Sequence, residues 1–96
     1  MTSSISTATV FLPAGLRERA GHQRSTQVSG TTVREIVQSL DRAHPGLGFN
    51  ICHETGELRQ YINIFVNGDE CRHLQELDTH VPEGALVHIM TSVAGG

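Results

Sequence analysis

Lysine and tryptophan are both missing from this chain, and the first absence carries the chemical consequence. All seven basic residues are arginines, so no internal ε-amine can accept an isopeptide bond, and only the N-terminal amine remains. The formal net charge of −3 also argues against nucleic acid or an anionic membrane as partner, since both need a positive field. No apolar run approaches the roughly 20 residues that span a bilayer. Residues Met1 to Thr7 have neither a basic leader nor a continuous apolar stretch, so a reducing cytoplasm is the expected compartment.

Cysteine is scarce as well. Cys52 and Cys71 are too few for a disulfide framework, and an all-cysteine iron–sulfur site needs four ligands. Cys52-His53 and Cys71-x-His73 contain zinc-ligand types, but their spacing does not match that of structural zinc sites, so no metal is expected. Nothing in the sequence around either thiol lowers its pKa, and both read as buried or half-buried structural residues. The six histidines are scattered: His22, His44, His53, His73 and His80 read as surface or loop positions. No triad and no phosphate-binding Gly-x-x-x-x-Gly-Lys-Ser/Thr run is present, so a catalyst is not expected.

What is there fits one domain over residues 1–91, followed by a tail at 92–96. Thr7–Leu12 is rich in strand formers and ends at Pro13; residues 14–21 read as a loop with Arg17, Glu18 and Arg19 solvated. His22–Ser29 makes a second strand, closed by Gly30. Thr32 then acts as N-cap with Glu35 completing a capping box, and Val33, Ile36, Val37 and Leu40 form one apolar stripe. Pro45-Gly46 stops this helix near His44. Residues 47–60 predict turns with at most a short irregular strand.

Tyr61–Val66 is the strongest strand, with Ile62, Ile64 and Val66 on one face and Tyr61, Asn63 and Phe65 on the other. Asn67-Gly68 turns the chain, Asp69–Arg72 returns briefly, and Leu74 and Leu77 flank a helical turn or loop. After Pro82-Glu83-Gly84 comes a last strand, Ala85–Met90. The order β-β-α-β-(β)-β with a single main helix predicts an α+β fold, a mixed four- to five-stranded sheet on that helix. Its core is the helix stripe with Ile62, Ile64, Val66, Val87, Ile89, Val10 and Leu12. By the same alternation Phe11, Phe65, His88 and Met90 fall on the other sheet face, where no second helix covers them, and they are the candidate partner-binding patch.

The chain ends Val93-Ala94-Gly95-Gly96. Glycine carries no Cβ, so a diglycine can enter a slot too narrow for other residues. The five residues from Ser92 extend to roughly 17 Å at most.

The Ile-Asn-Ile-Phe-Val-Asn-Gly strand and turn, Pro-Glu-Gly-Ala-Leu-Val-His-Ile and the terminal Val-Ala-Gly-Gly together resemble the ubiquitin-like sulfur carriers of the MoaD/ThiS type. The ending looks most like the cysteine-biosynthesis branch, although Thr91 stands where such carriers often have proline. The resemblance implies a β-grasp fold and a carrier whose Gly96 carboxylate is the reactive group, with Gly95 beside it and Val93 and Ala94 contacting the partner. It implies two partners, an E1-like adenylating and sulfurtransferase enzyme and a sulfur-accepting synthase. No cofactor would be bound stably, and ATP would be used by the activating enzyme. The acceptor pathway stays open among cysteine, molybdopterin, thiazole and a specialised metabolite. Two rival readings stand beside it: a protein modifier conjugated through Gly96, and a β-grasp adaptor with an inert tail.

Overall fold

Alternation across Thr7–Phe11 turns Ala8 and Val10 inward and makes the first strand, β1, of a computed structural model that describes residues 6–92. The connection that follows is not the expected loop. It forms a short helix, α1 (Ala14–Arg17), and a 3₁₀ turn at Glu18–Ala20, because Leu16 and Ala20 share a face and bury it. Arg17 is half-buried rather than solvated, its Nε donating to the Leu12 carbonyl at 3.0 Å. The second strand, β2, starts at Ser25 instead of His22, since Gly21 and His22 both adopt left-handed conformations that interrupt an extended chain.

The main helix, α2 (Val33–Ala43), begins where the capping signal puts it: the Thr32 hydroxyl accepts from the Glu35 amide at 3.2 Å. The reciprocal half of the box differs. Glu35 Oε1 accepts from the amide (2.7 Å) and hydroxyl (2.9 Å) of Thr31, not from the Thr32 amide. Val33, Ile36, Val37 and Leu40 are all buried, as the stripe predicts.

Beyond Gly46 a third helix, α3 (Leu47–Ile51), replaces the predicted turns. Its start is capped from another element: Asp41 Oδ1, on α2, accepts from the Gly46 and Gly48 amides at 3.1 and 2.9 Å. A Cβ at Gly48 would lie 2.9 Å from that oxygen, so the glycine that reads as a breaker is what lets α3 approach. An isolated bridge, Cys52 to Leu58, closes the turn that follows.

Strand β3 (Ile62–Val66) turns at Asn67-Gly68, both at positive φ, into β4 (Asp69–Glu70). The return strand stops two residues short of Arg72 because Cys71 turns into the core and opens a 3₁₀ turn at Cys71–His73. A further 3₁₀ turn spans Glu76–Asp78, with Leu77 buried and Leu74 exposed. The last strand, β5, is Leu86–Thr91.

The sheet order is β2-β1-β5-β3-β4, with β1 and β5 parallel at the centre and every other pair antiparallel. The main helix covers one face and buries its stripe with Val10, Leu12, Ile62, Ile64, Val66, Val87 and Ile89. This is the β-grasp fold. Among the described residues, no helix is long and apolar enough to cross a membrane.

Candidate functional site

Strand register determines what stands on the uncovered sheet face. Phe11 pairs with Ser25 and His88, His88 with Phe65, and Phe65 with Glu70. A single row therefore crosses all five strands as Ser25, Phe11, His88, Phe65 and Glu70. The Phe11 and His88 rings lie 4.5 Å apart at 11°, a stacked pair. Phe11 and Phe65 are half-buried by their neighbours, and His88 is exposed between them. Met90, 52% exposed, lies on the next row opposite Asn63.

The structure thus brings Phe11, Phe65, His88 and Met90 together on one face. It adds Leu86, which is 47% exposed and pairs with Thr9. Leu86 has the same parity as His88 and Met90, so the alternation that found those two contained the signal for it as well. Tyr61, 48% exposed, stands just ahead of β3.

The face leads to the C-terminal segment. Strand β5 stays paired with β3 to its last residue, Thr91 opposite Ile62, and the Ser92 amide then donates to the Tyr61 carbonyl at 2.8 Å. Gly95 and Gly96, expected to carry the chemistry, and Val93 and Ala94, expected to contact the partner, lie outside the described residues.

Burial pushes both cysteine thiols up, against the opposing pull of Arg34 and Arg59 at Cys52 and of Arg72 at Cys71. Both are free and buried, which disfavours the thiolate that nucleophilic or metal chemistry needs. Among the described residues no three His, Cys, Asp or Glu side chains converge on a common point. A depression lined by Arg34, Glu57, Glu70, Arg72 and Glu76 is open and of mixed charge.

A β-grasp body with one main helix, whose last strand runs straight into the C-terminal segment, defines a ubiquitin-like protein. The model of the ThiS family matches residues 10–96, and the chain belongs to that family of sulfur carrier proteins. The sulfur carrier protein CysO of Mycobacterium tuberculosis is 32% identical over 90 residues, covering 92% of this chain and 97% of that protein. Small archaeal modifier protein 3 of Haloferax volcanii is 34% identical over 65 residues, covering 68% of this chain and 70% of its own. A chain of the Amycolatopsis orientalis BexX/CysO complex superposes with a TM-score of 0.87 at 32% identity, covering 93% of this chain and 99% of that one.

Proposed function

We propose that the chain carries sulfur as a thiocarboxylate on Gly96. A carboxylate is a poor acyl electrophile because its oxygen leaves badly. One Gly96 carboxylate oxygen would attack the α-phosphorus of ATP in an E1-like enzyme, expelling pyrophosphate and giving an acyl-adenylate. Hydrosulfide would then add to the acyl carbon, and AMP would leave as the carbonyl re-forms. The resulting sulfur is a softer nucleophile than the oxygen it replaces, and a synthase can take it up. The observation that carries this reading is a strand held to the sheet through Ser92 and followed by Val93-Ala94-Gly95-Gly96, in a chain that the ThiS family model matches through residue 96.

Phe11, Phe65, His88, Met90 and Leu86 form the docking face for the activating enzyme and the synthase. The protein acts as a co-substrate, with nucleotide bound by its partner. An oxidisable thiocarboxylate suits a reducing cytoplasm. Among acceptors the Val-Ala-Gly-Gly ending and the likeness to CysO favour the route to cysteine.

Incubation with ATP, an activating enzyme and sulfide, followed by intact mass, tests the reading. The expected increment is one oxygen exchanged for sulfur at Gly96, absent when Gly96 is deleted; an unchanged mass for the full chain overturns it. The likeness to an archaeal modifier protein supports a second reading, conjugation to target lysines through the same acyl-adenylate. A Gly96-linked lysine adduct in the same reaction would favour that one.

A further inference from the structure

The point at which the C-terminal segment leaves the sheet is fastened by side chains. Asn63, on β3, donates from Nδ2 to Ser92 Oγ at 2.8 Å. Its Oδ1 accepts from Arg72 Nη1 at 2.9 Å. Because a guanidinium can only donate, the carbonyl side of the Asn63 amide must face Arg72 and its NH₂ must face Ser92. The orientation of the amide is therefore set by charge chemistry.

Arg72 is held in turn. Its Nη1 also donates to the Ile62 carbonyl at 2.8 Å, its Nη2 to the Arg59 carbonyl at 2.8 Å, and Glu70 Oε2 lies 3.5 Å from Nη1. These carbonyls belong to the segment entering β3, the same segment whose Tyr61 carbonyl accepts the Ser92 amide. One guanidinium thus steadies both bonds that Ser92 makes, through the Asn63 side chain and through the Tyr61 main chain.

We infer that Asn63, oriented by Arg72, is a positioning residue for acyl transfer at Gly96. This rests on the carrier reading above. Pinning Ser92 leaves four residues, Val93–Gly96, to enter the partner's active site, a reach of at most about 14 Å. Releasing Ser92 adds a residue whose freedom must be removed each time the carboxylate meets the nucleotide, which corresponds to roughly a 5- to 30-fold loss of rate. The loss falls on kcat, because the side chains that dock on the enzyme, Phe11, Phe65, His88, Met90 and Leu86, are retained in each variant although Asn63 shares their face.

The test measures Gly96-dependent ATP–pyrophosphate exchange by an E1-like activating enzyme with wild type, Asn63→Ala, Ser92→Ala and the double variant. Expected is a kcat lowered about tenfold in each single variant with KM for the carrier within about twofold of wild type. The double variant should be no worse than Asn63→Ala alone, since that substitution already removes the Asn63–Ser92 bond. Ser92→Thr, which keeps the hydroxyl, should restore most of the rate. Loss through KM alone, or an unchanged kcat, overturns the proposal. Amide hydrogen exchange at Ser92 in the free protein separates this from failure of the carrier reading. A Ser92 amide that exchanges as in an unfolded chain sinks the clamp whatever the enzyme does. A protected amide, accelerated by Asn63→Ala, in a wild type that supports no exchange of pyrophosphate sinks the carrier reading and the positioning role with it.

Discussion

Two hydrogen bonds from Thr31 stabilise the charged form of Glu35 and hold its carboxyl below the usual carboxylate range. A folded pKa below the unfolded one stabilises the protein at pH values above the unfolded pKa, and the benefit is lost as pH falls through the folded pKa. Glu35→Gln should therefore melt below wild type at neutral pH and converge with it in acid, a small difference because the group is fully exposed; differential melting across a pH series checks this. The thiols run the opposite way. Burial raises both, so they stay protonated near neutrality, and Cys71 (0% exposed) and Cys52 (9%) should resist iodoacetamide in the native protein. Both should alkylate promptly in denaturant, and fast native labelling would contradict the burial. At this scale the sequence gives residue type and parity. The guanidinium that bridges Asn63 to the Arg59–Ile62 segment depends on neighbours distant in the chain.

The elements that carry a strong period were readable, and those held by a remote side chain were not. Helix α2 has its cap, stripe and stop within one stretch of sequence, and its first turn depends on Thr32: Thr32→Ala should cost about 1 kcal/mol by denaturant unfolding. Helix α3 is five residues long and contains a glycine, too short for propensity to specify. Its start depends on a carboxylate on the preceding helix. Asp41→Ala should orphan the Gly46 and Gly48 amides and destabilise the protein by about 1–2 kcal/mol, with faster amide exchange across 46–51 as the local signature. The same reasoning explains α1, where Leu16 and Ala20 become a pair only after the sheet gives them something to bury against.

For the molecule as a whole, the useful asymmetry is that, among the described residues, one sheet face has a helix and the other does not. Phe65→Asp or Leu86→Asp should leave the melting temperature within a few degrees of wild type while weakening binding to the activating enzyme by at least about tenfold, measured calorimetrically. Unchanged affinity in both variants would remove this face from partner recognition. Period-two alternation was enough to sort Phe11, Phe65, His88 and Met90 away from the core, because a strand residue's face is fixed by parity alone. The diglycine and its resemblance were likewise legible, being contiguous in the chain. Tertiary structure alone decided the order β2-β1-β5-β3-β4, which stacks His88 on Phe11, and the Arg72–Asn63–Ser92 chain that fastens the end of β5. Residues separated by 29 positions, as Asn63 and Ser92 are, meet only through strand register. Register is set by the burial of all the inward faces together, so no local stretch of sequence encodes it.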